Sequence, residues 1–453
     1  MSNLGFHSLF HRTSAFGGLR TVRFFIERGK ELFSPEASIP AKKSLFRASP
    51  PTLRSFNIIL FTVAFELDYV NIVRMLELSS IPPLSNERDE RYPLIISGGI
   101  APSANPRVLS VFSDFVCVGD MDDLLERILE ILFRCNFRKS ENTLKEIEGF
   151  EGIYRMDGRT PKRWVKEDIT VPAHSAVLTR KTEFSDKFLI EIVRGCRHNC
   201  TFCMTRCVTR PVRFVKSELI TRTVKSVIAY TRKVGLIAPV LTDHPEIVEI
   251  VKKMNSLGFV ASFSSLRADD FSEELARLLK ANGQKTVTFA PETGSFILRK
   301  QIGKDLADED LYRAVALAAA NGVKRFRYYF MYGLPGETTD DVRNIVLISK
   351  KTMNLIFKMG CTLHLSINPF IPKKGTALEG ESVYPLEYYR EMQKLLEKEL
   401  SGIPGISVKF ESLRFLHIQH QLSIGNLDTG YLLNDCILKG SMRPFQELGI
   451  GGY

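Results

Sequence analysis

The chain of 453 residues has no long hydrophobic run. Its longest apolar stretch, residues 56–65, is about half of the ~20 residues that cross a bilayer, which argues against a membrane-spanning helix. No basic-then-apolar stretch opens it as a signal peptide would, so a cytoplasmic location is the expectation. It has no low-complexity tract and no internal repeat beyond an alternation of strands and helices. Hydrophobic residues at 44% and charged residues at 25% exclude a largely disordered or collagen-like chain. Nor is there a dominant charge: 62 basic against 51 acidic residues leave +11, which suits an anionic partner but is spread too thinly to decide on one.

What the sequence does contain is a concentration of cysteine. Of eight cysteines, Cys196, Cys200, Cys203 and Cys207 fall in one short segment, the others being Cys117, Cys135, Cys361 and Cys436. Clustering of this kind in a cytosolic chain favours metal or redox chemistry over disulfides.

At roughly 150 residues per domain, two to three domains are expected. From Phe188 onward extended apolar segments (188–193, 234–240, 259–264, 285–290, 326–332, 361–367) alternate with amphipathic ones (217–232, 243–256, 270–282, 307–321, 339–357, 386–400). Asp243 before Pro245 reads as a helix start, and Asn282-Gly283 and Asn321-Gly322 as helix stops. Six strand-helix units predict an α/β fold with a parallel sheet, a partial (β/α)6 barrel of the TIM type, with chemistry at the C-terminal ends of its strands.

Before it, residues 1–137 read as a Rossmann-like α/β domain, with strands at 21–26, 57–63, 93–97 and 115–118 and helices near 3–13, 68–78 and 122–134. Strand 93–97 runs into Gly98-Gly99, a turn that lets ligands approach in doubly wound sheets. Residues 138–185 read as a polar linker, with short strands that bridge the two domains as a further reading, 186–400 as the barrel, and 401–453 as a C-terminal extension with one helical stretch, 413–423, and no clear core.

The segment Arg194-Gly195-Cys196-Arg197-His198-Asn199-Cys200-Thr201-Phe202-Cys203 directly follows the first barrel strand, with cysteines spaced C-x3-C-x2-C. Three thiolates on a short loop hold three irons of a four-iron cluster and leave the fourth open, whereas electron-transfer clusters are usually closed by a fourth cysteine. Zinc with His198 as fourth ligand is the alternative, although structural zinc usually takes two separated ligand pairs. Cys207 reads as a fourth ligand, a substrate-binding thiol or a buried loop cysteine. The basic residues Arg194, Arg197, Arg206, Arg210, Arg213 and Lys216, with no acid among them, either tune the site, face an anionic substrate or form a solvated face.

This spacing, with an aromatic residue before the last cysteine, resembles the signature of the radical S-adenosylmethionine superfamily. The resemblance implies a [4Fe-4S] cluster on Cys196, Cys200 and Cys203, with the amino and carboxylate groups of S-adenosylmethionine closing the fourth iron. It further implies reductive cleavage to a 5′-deoxyadenosyl radical, an electron supplied by a partner such as flavodoxin or ferredoxin, and Phe202 lying against the adenine. Ala290-Pro291-Glu292-Thr293-Gly294-Ser295 and the run from Leu298 to Lys304 resemble a block of one branch of the superfamily, which implies that Glu292 and Arg299 bind the ribose hydroxyls and the methionyl carboxylate; a structural ion pair is the alternative. Tyr329 to Glu337, containing Met331, resembles the F-M-x-G-L-P-G-E-T element after the fifth strand, and Asn368-Pro369-Phe370-Ile371-Pro372-Lys373 resembles one that lines the adenine pocket. Where many relatives carry Gly-Gly-Glu after the second strand, this chain has Leu241-Thr242-Asp243-His244; Thr242 is the candidate for contacting the cofactor amino group, and Asp243 reads equally as a helix cap.

Residues 97–106 and 114–120 resemble the last strands of the cobalamin-binding-type domain often fused to these barrels, as does the segment 61–69, which makes cobalamin a further candidate cofactor. The chain has no D-x-H-x-x-G segment to give cobalt a histidine. Its start at Met1-Ser2-Asn3 resembles a helix that relatives reach only after a first strand, so a domain lacking that strand is expected. Only Cys117 and Cys135 lie in this half, too few for the second cluster of a methylthiotransferase. Three functions compete: a radical enzyme, with cobalamin-dependent methyl transfer as its finer form; a cluster-dependent modifier of RNA or protein; and a non-catalytic iron-sulfur or zinc binding protein. His417 and His420 read as ordinary helix residues.

Overall fold

A computed structural model describes residues 3–27, 31–35, 52–156, 158–159, 161–264 and 266–447. The chain forms two compact units, one mainly of Asp168–Pro372 and Thr376–Leu416, the other mainly of Gly5–Glu167, Lys373–Gly375 and the chain from His417 onward. Among the described residues no helix is long and apolar enough to cross a membrane.

The first unit is strand-helix alternation. Strands β1 (Phe188–Glu191), β2 (Lys233–Ile237) and β3 (Val260–Phe263) form one parallel sheet. Strands β4 (Thr286–Glu292), β5 (Arg325–Tyr332), β6 (Thr362–Pro369) and β7 (Ile406–Phe410) form a second, also parallel and in chain order. Helices Ser217–Lys225, Ile247–Ser256, Glu273–Ala281, Asp308–Ala320, Thr339–Ile356 and Leu386–Leu400 follow β1 to β6. Local chemistry sets their ends: Ser272 accepts from the Leu275 amide, and Thr338 and Asp341 form a capping box.

Burial along β5 alternates strictly, Phe326, Tyr328, Phe330 and Tyr332 packing with helix residues such as Val342, Ile345 and Val346 in a single core while Arg325, Arg327 and Tyr329 are exposed. Between β3 and β4 no ladder forms. Instead the Gln284 side chain accepts from the Phe263 amide and donates to its carbonyl, and Asn282 accepts from the Ala261 amide. The architecture is therefore the expected partial barrel, its two sheets joined at that edge by side-chain amides.

The second unit holds a four-stranded sheet in chain order, Ile58–Thr62, Leu94–Gly98 and Phe115–Cys117 parallel, with Ile153–Tyr154 antiparallel at the end. Helices Tyr69–Leu78 and Leu124–Arg134 bury apolar faces on it. Four details add to or differ from the sequence reading. The expected strand 21–26 is a short hairpin arm, Phe25–Glu27 against Glu31–Phe33. The linker is not polar connection alone: helix Glu141–Glu148 buries Leu144 and Ile147, and Ile153–Tyr154 joins the sheet. At Gly99, whose φ is +123°, a Cβ would lie 2.2 Å from the Val63 carbonyl, so neighbouring backbone itself requires a glycine there. The tail has a core: β7 belongs to the barrel, and helix Leu427–Leu438 buries Leu433 and Cys436 in the second unit. Met1 and Ser2, where the shortened start was read, lie outside the described residues.

Candidate functional site

The cysteines sit where β1 ends. The chain leaves it through Val193–Arg194, which pairs antiparallel with Arg213–Phe214, and between these arms runs the loop Gly195 to Cys203 and the short helix Met204–Val208. Gly195, at φ +89°, must be glycine, because a Cβ would meet the carbonyls of Thr209 and Pro211 at 2.6 and 2.7 Å. The loop folds around a guanidinium: Arg210 donates to the carbonyls of Cys196 (3.4 Å) and His198 (3.1 Å) and to the Asn199 side chain (2.9 Å). On its other side the Thr201 amide donates to the Ile302 carbonyl at 2.9 Å, and Gly303 leaves room for the Asn199 carbonyl, 2.3 Å from where a Cβ would stand.

The Cys203 thiol bears electrostatically on both Cys196 and Cys200, its neighbours on the loop. Burial pushes the Cys196 thiol up, and pushes Cys200 up to about 11, while Arg267 pulls both down and Lys304 pulls Cys200 down. Those two cations come from the loops after β3 and β4, Arg267 forked onto Asp269 and Lys304 bonded to Glu292 at 3.0 Å. Metal binding would have to displace thiol protons held by burial, and the two nearby cations favour the thiolates.

Asp243 is not the helix cap; the helix begins at Ile247. It is buried, and its Oδ1 accepts from Arg197 Nε (2.9 Å) and His198 Nε2 (3.0 Å), anchoring the cysteine loop to the end of β2. The ligand atoms of Cys196, His198 and Asp243 lie within 4.8 Å of one another, the one such trio among the described residues. Its carboxylate, however, already serves two donors, as a loop anchor does. Of the six basic residues in this segment, Arg194 forks onto Glu191, Arg197 meets Asp243, and Arg210 and Arg213 donate to loop carbonyls. The basic run therefore mostly holds its own loop together rather than facing an anion.

The other predicted residues divide. Phe202 and Met331 come together in an apolar cluster with Leu298, Ile302, Leu334 and Phe370. Glu292 ends β4 at a register shift, with φ at +72°, a left-handed conformation rare for a residue with a side chain. Such a kink re-aims a side chain beside a site. Arg299 is elsewhere: fully buried, it pairs with Asp308 and reaches the Thr293 carbonyl at 3.4 Å, while Lys304 takes the position beside Glu292. The Thr242 hydroxyl is buried without a hydrogen-bond partner among the described residues. So are those of Thr201 on the cysteine loop, Ser264 just past β3 and Thr293 just past β4. Sequence reasoning did not single out Ser264 or Arg267 as working parts, because an isolated serine or cation carries no spacing signal.

Two family profiles match the chain: "Radical SAM proteins, N-terminal" over residues 36–155 and "Radical SAM superfamily" over 190–347, together more than half of it. Among curated proteins, the uncharacterized protein MJ0966 of Methanocaldococcus jannaschii is 29% identical over 83% of this chain and 79% of its own length. The uncharacterized methyltransferase PH0819 of Pyrococcus horikoshii is 25% identical over 46% of this chain and 48% of its own. Among solved structures, the radical S-adenosylmethionine methyltransferase TsrM of Kitasatospora setae, with tryptophan and a cofactor analogue bound, is similar at a TM-score of 0.51. The identity is 15%, over 73% of this chain and 67% of that one, a likeness of fold.

Proposed function

Because the chain is a radical S-adenosylmethionine protein, we propose that Cys196, Cys200 and Cys203 hold its [4Fe-4S] cluster and that the carboxyl ends of the barrel strands bind S-adenosylmethionine. The observation that carries this reading is the cysteine loop itself: three thiols on one loop, shaped from behind by Arg210 and faced by Arg267 and Lys304. An anionic cluster suits that charge pattern. The cofactor fits a second observation, since Thr201, Thr242, Ser264 and Thr293 offer buried hydroxyls that lack partners, a costly state unless a ligand answers them.

Held by Cys196, Cys200 and Cys203, the cluster would supply one-electron reduction of a bound sulfonium, and so access to radical hydrogen abstraction. The chain's own residues bind and orient. Phe202 and Met331 offer a flat apolar wall, closed behind by Leu298, Leu334 and Phe370, for the adenine. Glu292, turned by its kink and held by Lys304, keeps one carboxylate oxygen for ribose hydroxyls. Asp243 fixes the loop through His198 and Arg197. The electron comes from a reducing partner of the flavodoxin or ferredoxin kind.

The finer reading is methyl transfer assisted by cobalamin. It is supported by the likeness of fold to TsrM, which was also solved with cobalamin and a [4Fe-4S] cluster at a TM-score of 0.50, and by a relative described as a methyltransferase. The test is anaerobic reconstitution, reduction with dithionite and assay of 5′-deoxyadenosine, in wild type and Cys200→Ala, with and without cobalamin. The reading expects product from the wild type alone; product from both, or from neither despite a stable cluster, would sink it.

A further inference from the structure

The face of the second barrel sheet turned away from the helices is basic. Because paired residues in a parallel ladder point the same way, register places Thr288, Arg327, His364 and Ser407 in one row and Tyr329, Ser366 and Lys409 in the next. A third row holds Thr286, Arg325 and Thr362. The opposite face is the apolar core of Phe326, Tyr328, Leu363 and Leu365.

Charge on this face is one-sided. Arg325, Arg327 and Lys409 are exposed, and Arg327 and Lys409 make no hydrogen bond or ion pair among the described residues, while Arg325 donates to Thr286 at 3.0 Å. His364, bonded to Ser407 at 2.9 Å, is held below its ordinary pKa by burial and by Arg327 and Lys409. Within the four strands the one carboxylate is Glu292, beyond the register shift of β4 and already bonded to Lys304; Glu411 comes just past the end of β7. Cations in three successive rows, with no unpaired carboxylate among the residues of these four strands, ask for an anion.

We infer that this face binds a small substrate through a phosphate group, with Arg327 and Lys409 as its charged partners and Ser366, on the strand between them, as hydroxyl donor. Donors arriving from separate strands, about 5 Å apart per strand, suit a tetrahedral oxyanion better than a planar carboxylate, which a single guanidinium fork satisfies. From Arg327 to Met331 the same strand face climbs ~13 Å, so an anchored phosphate leaves the far end of a sugar-phosphate-sized molecule at the carboxyl end of the barrel. The identification of this ligand as substrate rests on the function proposed above; the binding itself does not.

The test uses the full-length reconstituted protein and calorimetric titration with inorganic pyrophosphate, with citrate as the carboxylate probe. Saturable pyrophosphate binding is expected, weakened at least ~10-fold in Arg327→Gln and in Lys409→Gln and unchanged in Arg343→Gln, whose side chain pairs with Asp340 on an outer helix. Circular dichroism and iron content report whether each variant is folded. No binding at millimolar pyrophosphate, equal loss in Arg343→Gln, or tighter binding of citrate than of pyrophosphate would overturn the inference. Wild-type 5′-deoxyadenosine formation is measured on the same preparation, so a failure of the radical reading with intact anion binding is told apart from a failure of this site.

Discussion

Lys304 donates to Glu292 at 3.0 Å, and both bear on the Cys200 thiol, the ammonium lowering its proton affinity and the carboxylate raising it. The pair links the end of β4 to the turn beneath the cysteine loop, so one ion pair serves two parts of the site. Lys304→Met would leave the partly buried Glu292 unpaired beside the Cys200 thiol. The expected result is a loss on the order of 2 kcal/mol in unfolding free energy and reduced iron retention, with Lys304→Arg restoring most of both. Chemical denaturation and iron analysis check it; iron retention equal to wild type in the Met variant would contradict it.

Arg299 has two readings that separate cleanly. Its guanidinium is fully buried and paired with Asp308, so Arg299→Met should cost on the order of 3 kcal/mol of stability even without any cofactor present. A residue serving only to bind the methionyl carboxylate would leave the cofactor-free protein as stable as wild type, and denaturation of that form distinguishes the two.

Much of this was legible in advance, for identifiable reasons. The six strand-helix units were readable because both periods are clean, as in β5, where every second residue is buried. The cysteine loop was readable because its spacing is dense and specific. A sequence block shows which residues travel together, not which cation stands beside Glu292; in the fold that is Lys304, five residues beyond Arg299. Asp243 before Pro245 has the appearance of a helix cap, and only the fold brings it to His198. The tail was underread because Gly430 looks like a breaker, whereas it lies inside helix Leu427–Leu438 at a close approach.

A Cβ at Gly430 would stand 2.4 Å from Val111 Cγ2 and 2.6 Å from the Val108 carbonyl. Gly430→Ala, although it favours helix, is therefore expected to destabilise by about 1–3 kcal/mol through overpacking. A gain in thermal stability would show that this helix does not pack as described.

Glu337 carries a pH signature. Burial pushes its carboxyl up to about 7 from an ordinary 4.5, against hydrogen bonds from the Gly333 amide (2.6 Å) and the Tyr388 hydroxyl (2.7 Å). Between those two values the folded chain keeps a proton that the unfolded chain has released. The group's contribution to stability is thus full below about pH 4.5 and is lost as pH rises through about 7. Glu337→Gln, which keeps both acceptor bonds and never ionises, should become progressively more stable than wild type as pH is raised across that window, by on the order of 2–3 kcal/mol. Parallel pH profiles of the two proteins would refute the assignment.

The proposed centre is an open four-iron cluster held by Cys196, Cys200 and Cys203 and met by S-adenosylmethionine. Its most direct test is iron content and electron paramagnetic resonance of the anaerobically reconstituted, dithionite-reduced protein, before and after adding S-adenosylmethionine. The account predicts about four irons per chain and a reduced-cluster signal that shifts when the cofactor is added, with both lost in Cys196→Ala and Cys203→Ala and both kept in Cys207→Ala. A chain that retains zinc instead of iron, or a cluster whose signal ignores the cofactor, would contradict it.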